Sequence, residues 1–404
     1  MAGSPIVVLD IGASKVVCLI GEADTDSTVK ILGMGISVCL GLRRSVIVDL
    51  PKVVDAIQEA VQEAERAAGL KVTGAYVGVA GKDITSCISH SAVAISGSGT
   101  PIDEEDVDRA LAAAEQAAVP ASATVLHRFI QSYVVDGSQV QNPLLLHGSK
   151  LEIETLSVIT DSHAHITLQR AIEEAGISIA GFVLESIGTA AGVVSYDERE
   201  MGVALLDIGA GTSDLAVFHQ GSLCCFEEIP FGGNDITNDI SKVLNASPRI
   251  AEELKHQYGF VCTQDSPNDQ LISFATTAGR SRSISCQELR AIIEARQQEI
   301  LEFVGQTLER HQVRHQLAAG LILTGGGALL ENLPILGEEV LGLPVRLGIP
   351  AGTVGTDQVQ DPRFTTAVGL LNFVAHEHAQ DPFAAHSSQS KGFIDRITRF
   401  LSFF

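Results

Sequence analysis

The chain has 404 residues, enough for two to four domains with cores of their own, and a globular composition of 45% hydrophobic and 19% charged residues. A net charge of −22 excludes non-specific nucleic-acid binding and general adhesion to anionic membranes, both of which need an excess of Lys and Arg. Seven cysteines, an odd count without CxxC spacing, point to buried free thiols in a reducing compartment rather than to disulfides or zinc.

Residues 5–40 read as strands joined by glycine turns, starting at Ile6 without a signal-peptide pattern. Pro51 to Ala68 is a helix with Val53, Val54, Ile57, Ala60, Val61 and Ala64 on one face, and a strand follows at Ala75–Val79. The texture changes at Gly81–Asp83. A β-rich segment, an acidic helix start at Asp103–Asp106, an alanine-rich helix to Val119 and further strands to Ile159 suggest an inserted α+β module. A helix at Ala164–Ala175 resumes the first domain. Gly202 opens the second half, mostly helical from Asn234 to Leu308 apart from a polar break at Thr263–Ser285. Leu321–Thr324 is a buried strand, from which Gly325-Gly326-Gly327 turns into a helix. No run of about 18 apolar residues suits a membrane span, so the expectation is a cytoplasmic protein unless something tethers it.

Leu-Asp-Ile-Gly-Ala occurs twice, at 9–13 and 206–210, each time between apolar runs. Two strand–turn–strand hairpins, one per half, can present an aspartate and a row of turn amides to one metal-bound polyphosphate between two lobes. In the first, Asp10 would hold Mg²⁺ through water, Gly12, Ala13 and Ser14 would form the anion nest, and Lys15 would neutralise phosphate charge. In the second, Asp207, Gly209, Gly211 and Thr212 take the same roles. Either motif alone is also a plain tight hairpin; the repeat carries the argument. The third element, Gly325, Gly326 and Gly327, is bare backbone against which a ribose or flat ring can lie. Glu252 and Lys255, one turn apart on a helix, either reach that ribose or base or form a solvated i,i+3 pair.

Hairpin, hairpin and triple-glycine loop in this order resemble the actin, DnaK-chaperone and sugar-kinase superfamily; no GxxxxGK[ST] P-loop occurs. The details resemble the FtsA family of bacterial cell-division proteins over essentially the whole chain. They are Val79-Ala80-Gly81-Lys82; His127-Arg128-Phe129-Ile130 with Tyr133, Asp136, Gly137, Asn142 and Pro143; Ser195 to Glu200; Pro230-Phe231-Gly232-Gly233; and Thr366 to Leu371. The resemblance implies a two-lobed α/β actin-like fold with an α+β module inserted in the first lobe. It implies ATP binding, actin-like self-assembly on the inner membrane at the division septum, and tethering of the FtsZ C-terminal peptide there, with other division proteins as partners. That peptide would dock on the helical subdomain at about Ile240–Val304, where Arg280, Arg282 and Arg296 are candidates to meet its acidic residues or are plain solvated arginines. No glutamine or histidine beside the hairpins stands out to position an attacking water, so the expectation is ATP binding with a slow ATPase at most.

Residues 392–404 carry their own pattern. On a helical wheel Phe393, Ile394, Ile397, Phe400, Leu401 and Phe404 share one face, while Arg396 and Arg399 outweigh Asp395 on the other. A helix of this length measures about 20 Å, short of the roughly 30 Å that spans a bilayer. The stripe either docks on the protein body or lies in the interface of an anionic membrane, and the polar linker before it favours the membrane. Many tails gathered on one filament would bind firmly by avidity.

The expected organisation is therefore a first lobe at 1–83 and 162–199, the inserted module at 84–161, a second lobe at 200–239 and 306–378, its helical subdomain at 240–305, a linker at 379–391 and an amphipathic helix at 392–404. Two alternatives remain open: a PilM-type scaffold of pilus assembly and an actin-fold small-molecule kinase. The kinase would need a catalytic base and an acceptor pocket that the sequence does not display.

Overall fold

A computed structural model describes residues 5–23, 28–95, 100–117, 120, 123–261 and 271–380. The repeated sequence motif opens two sheets of the same plan. In the first, the strands run in the order Ser178–Leu184, Gly74–Val79, Ile6–Ile11, Lys15–Ala23, Val29–Val38 and Thr353–Val354. In the second the order is Val345–Leu347, Leu321–Thr324, Val203–Ile208, Ser213–His219 and Ser222–Ile229. Each sheet has three consecutive antiparallel strands, the first of which also pairs in parallel with a strand reached by a crossover.

Near-continuous apolar runs in these strands mean that both faces are covered. Leu9, Ile11 and Val16 face the helix Leu50–Ala68, against Val53, Ile57 and Ala60. Their neighbours Val8, Val17 and Leu19 face the other way, onto Leu370, Leu371 and Val374 of the helix Thr365–Gln380. Val203, Leu205, Ala216 and Phe218 of the second sheet belong to that same central core. The opposite face of the second sheet, with Ala204, Leu206, Leu215 and Val217, packs on Ile240, Leu289, Ile300 and Val304 of the helices Gly233–Leu244 and Cys286–Arg310. The period-two alternation of the strands thus builds two sheets with a pair of helices, Glu185–Val193 and Thr365–Gln380, between them. Those two helices pack backbone to backbone: a Cβ at Gly369 would lie 1.8 Å from the carbonyl oxygen of Gly188.

A separate antiparallel sheet contains Ile84–Ala94, Lys150–Asp161, Ala123–Val135 and Ser138–Val140. The helix Glu104–Ala117 covers it, burying Ile102, Val107 and Ala110 against Leu151 and Ile153.

Three local expectations change. The polar break before Ser285 contains a small hairpin, Leu271–Ala275 with Ser281–Ser285. Its alternation is real but short: Ile272, Phe274 and Ile284 are buried while Ser273, Ser281, Ser283, Arg280 and Arg282 are exposed, and composition hides the pattern. The triple glycine enters a 3₁₀ turn, Gly326–Leu329, and the helix starts only at Leu333. The last helix continues to Gln380, so the first two residues of the expected linker, 379 and 380, are helical. The rest of the linker and the amphipathic segment 392–404 lie outside the described residues. Among the described residues, six cysteines are free thiols, and no helix is long and apolar enough to cross a membrane.

Candidate functional site

The two hairpins close in the same way. Gly12 N–H donates to the Lys15 carbonyl at 2.9 Å, and Gly209 N–H to the Thr212 carbonyl at 3.0 Å. Asp10 stands opposite Val17 and Asp207 opposite Asp214, each two residues before its glycine. The turns approach each other across the cleft, where a Cβ on Gly211 would lie 3.1 Å from that of Ala13. The glycine-rich loop folds over the second hairpin. Gly325 has φ +83°, and a Cβ there would lie 2.1 Å from Asp207 Oδ1, so this position requires glycine twice over.

Between these elements lies a cavity of about 660 Å³. Asp10, Gly12, Ala13, Ser14, Lys15, Asp207, Gly209, Gly211, Thr212, Glu252, Lys255, Gly325, Gly326 and Gly327 all line it. Residues separated by more than 300 positions in sequence therefore share one wall, and the size falls in the range of small-molecule sites.

The cavity is strongly acidic. Burial raises the Asp10 carboxyl to about 6, against the opposing pull of Lys15 and with a further push from Asp207. Burial likewise raises Asp207, which a hydrogen bond from Thr366 partly offsets. Asp214 and Glu185 also line the site, and burial holds both well above the usual carboxylate range. Glu228, beside Asp214, is raised by burial too. Buried carboxylates held by so little positive charge suit a hard divalent cation with a polyanion, and their oxygen donors fit magnesium held through water. Among the described residues no three His, Cys, Asp or Glu side chains converge to ligate a metal directly.

Glu252 and Lys255 reach the cavity, but not as a solvated pair. Lys255 Nζ lies 2.8 Å from Glu252 Oε2 and donates to the Gly233 carbonyl and to Thr237 Oγ1, both at 2.9 Å, with its side chain 11% exposed. Burial alone would raise the Glu252 carboxyl, but Lys255 and Thr237 hold it below its usual range.

The three arginines are not gathered at one point of the chain's architecture. Arg280 and Arg282 lie on the exposed small hairpin, where Arg282 donates to the Leu244 carbonyl at 3.4 Å. Arg296 is on the long helix, 2.7 Å from Asp239, paired with Glu299 and placed over the Phe231 ring. It lines a shallow groove of about 270 Å³ together with Val243 and Ile292.

Sequence reasoning assigned no role in the cleft to Glu185, Thr189, Asp214 or Thr366, although Thr366 opens the late segment that carries the resemblance and Asp214 lies two residues after Thr212 of the second hairpin. Glu185 and Thr189 sit on the helix that follows strand Ser178–Leu184, and only the fold carries that helix to the cleft. His165 also lines the cavity, so a histidine is present although not beside the hairpins in sequence.

Two sheets of one plan, a cleft between their paired hairpins and an inserted α+β module define an actin-fold protein. The profile described as "Cell division protein FtsA" matches residues 204–369, and that of the "SHS2 domain inserted in FTSA" matches residues 81–159. The chain is 36% identical over 375 residues to the cell division protein FtsA of Pseudomonas aeruginosa, covering 92% of this chain and 89% of that one. It is 32% identical over 383 residues to the Escherichia coli protein, covering 92% and 91%, and 35% identical over 370 residues to that of Bacillus subtilis, covering 91% and 82%. The chain belongs to the FtsA family of cell-division proteins. Solved structures share the fold: the PilM–PilN type IV pilus biogenesis complex at TM-score 0.63 and 15% identity, covering 92% of this chain and 98% of that one, and ADP-bound MreB5 of Spiroplasma citri at TM-score 0.56 and 16% identity, covering 93% and 98%.

Proposed function

We propose that this FtsA-family chain binds ATP with Mg²⁺ in the cleft, assembles into an actin-like filament on the cytoplasmic face of the inner membrane at the division septum, and tethers the FtsZ C-terminal peptide there. One observation carries the reading: two hairpins that share Leu-Asp-Ile-Gly-Ala and close in the same way, one from each lobe, face a single acidic cavity under a glycine-rich loop. The turn amides of Gly12–Lys15 and Gly209–Thr212 would cradle phosphates, Lys15 would neutralise them, and the bare backbone at Gly325–Gly327 would accept the adenosine. Asp10 and Asp207 would hold Mg²⁺ through water, and the ion supplies the positive charge that lets phosphate lie beside buried carboxylates. Burial, with Asp10 and Asp214 close by, holds the Glu185 carboxyl well above its usual range, so this site favours a counter-cation.

The amphipathic segment 392–404 would provide the membrane anchor, through Phe393, Ile394, Ile397, Phe400, Leu401 and Phe404 inserted among acyl chains with Arg396 and Arg399 at anionic headgroups. For the FtsZ peptide, the exposed Arg280 and Arg282 are the surface of suitable charge, whereas Arg296 is already paired with Asp239 and Glu299 in its groove.

Electron microscopy on an anionic lipid monolayer with Mg-ATP tests assembly and membrane attachment together. The full chain should form filaments, and a chain truncated after Ser390 should leave the lipid bare. Equal binding by both would assign attachment to another surface, and no binding by either would refute assembly on the membrane.

A further inference from the structure

Asp207 divides its two oxygens between the cleft and the interior. Oδ1 faces Gly325 in the glycine-rich loop. Oδ2 accepts from Thr366 Oγ1 at 2.8 Å and from Thr189 Oγ1 at 3.3 Å, and the two hydroxyls lie 3.0 Å from each other. Thr189 belongs to helix Glu185–Val193 and Thr366 to helix Thr365–Gln380, the two helices that pass between the sheets. The triangle sits beside their closest approach, since Thr189 follows Gly188 and Thr366 is one turn before Gly369.

A threonine inside a helix ordinarily returns its hydroxyl to the carbonyl four residues earlier. Thr167 in this chain does so, bonding the His163 carbonyl. Thr189, inside its helix and 1% exposed, does not; it turns to Asp207, as does Thr366, in the first turn of its own helix and 8% exposed. Apolar β-branched residues would fill the same space, so packing alone does not require the hydroxyls.

Two O–H groups serve three short contacts, which gives the triangle two arrangements. With both hydroxyls on Oδ2, the aspartate receives two charge-assisted bonds. With Thr189 turned to Thr366 Oγ1, the two helices are bonded to each other and the carboxylate keeps one donor. A group in the cleft that shares the charge of Asp207 lowers the advantage of the first arrangement and favours the second.

We propose that Thr366 and Thr189 are positioning residues through which the state of Asp207 in the cleft is transmitted to the crossing of the two central helices, and so to the angle between the lobes. The inference deepens the reading of the cleft as a Mg-ATP site and rests on it. The coupling element has two discrete arrangements that the cleft and the helix crossing both bias.

The test uses the full chain and a fluorescent ATP analogue, titrated with Mg²⁺ and with EDTA. Wild type should bind more tightly with Mg²⁺. Thr366→Val should lower that ratio about tenfold, a common size for coupling between sites, while its affinity in EDTA stays at the wild-type value. Thr189→Val should lower it less, and Thr366→Ser should restore it. In parallel, hydrogen exchange at the amides of residues 185–193 should slow on adding Mg-ATP to wild type and Thr366→Ser but not to Thr366→Val. A wild-type ratio and wild-type exchange response in Thr366→Val would overturn the inference while leaving the nucleotide site intact. Should Thr366→Val not fold, a wild-type response in Thr189→Val or a Thr366→Ser that loses the ratio would overturn it equally. Wild type that binds the analogue in neither buffer would refute the nucleotide site itself, and the inference with it.

Discussion

Arg44 Nη2 lies 3.0 Å from Asp235 Oδ1, joining two residues 191 positions apart across the mouth of the cleft. The other Asp235 oxygen accepts the Gly232 N–H at the start of helix Gly233–Leu244, so the pair links a turn of the first lobe to a helix end of the second. Beside it, Ser45 Oγ donates to Glu228. Arg44 and Ser45 have φ of 45° and 60°, a left-handed pair at the tip of the turn between Leu42–Arg43 and Val46–Ile47. Non-glycine residues pay roughly 1–2 kcal/mol each for that conformation, and the cross-cleft bonds help offset the cost.

The Arg44 side chain is 57% exposed, so its ion pair contributes little to global stability. Arg44→Ala should change unfolding by about 0.5 kcal/mol or less. The bond spans the opening, however, and its loss should speed release of a bound nucleotide about two- to fivefold, with the difference shrinking at high salt. Stopped-flow displacement of a fluorescent ATP analogue at low and high ionic strength measures this; identical release rates at low salt would show that the pair does not hold the cleft shut.

Asp10 gives a prediction of unusual sign. Its carboxyl titrates at about 6 in the folded protein against 3.8 for the unperturbed group. As pH rises from about 4 to about 6, the unfolded chain sheds this proton before the folded one does, so stability falls through that window and the loss is complete above it. Asp10→Asn has no charge to bury. At pH 7.5, without nucleotide, it should be more stable than wild type by on the order of 2–3 kcal/mol, and the gap should close near pH 4. The same variant should bind Mg-ATP more weakly, because the substitution removes the carboxylate proposed to hold the ion. Urea unfolding at both pH values checks the first claim, and titration with the analogue checks the second.

The contrast between Asp10 and Glu185 shows what could be read without coordinates. Asp10 announces itself through the turn two residues later, because tight turns demand glycine and glycine is visible in sequence. Glu185 and Thr366 reach the same cleft through helices whose placement depends on how two sheets pack, and no local pattern encodes that. The hairpin at Leu271–Ser285 was hidden for another reason: with five-residue strands, three buried side chains are too few to stand out from a polar background. The long strands, by contrast, were legible from apolar runs beside glycine turns, although runs so uniformly apolar do not say which face meets which helix.

Arg280 and Arg296 should separate surface from scaffold. Arg296 pairs with Asp239 at 2.7 Å and covers the Phe231 ring, so Arg296→Ala removes packing between two helices as well as a charge. It should cost about 1–2 kcal/mol, and any loss of peptide binding would have to be read after that correction. Arg280 stands exposed on its hairpin, and Arg280→Glu should stay within about 0.5 kcal/mol of wild type. If Arg280 meets an acidic peptide, the reversal should weaken binding of an FtsZ C-terminal peptide, measured by fluorescence anisotropy, with a salt dependence that wild type shows more steeply. Unchanged affinity in Arg280→Glu would remove this residue from the candidate surface.

The helix crossing leaves no room at all. A Cβ at Gly369 would lie 1.8 Å from Gly188 O, 2.7 Å from Gly188 C and 2.8 Å from Gly192 N, all backbone atoms of the facing helix. No rotamer change can relieve such a contact; the helices must separate, and Leu370 and Leu371, both fully buried, must move with them. Gly369→Ala should therefore destabilise the chain by about 3 kcal/mol or more. Because the crossing also carries the bonds from Thr189 and Thr366 to Asp207, the variant should weaken Mg-dependent binding of the ATP analogue more than binding in EDTA. Urea unfolding and the paired titrations measure both effects on one preparation. A stable Gly369→Ala protein with a wild-type Mg²⁺ response would mean that the two helices can part without disturbing the cleft.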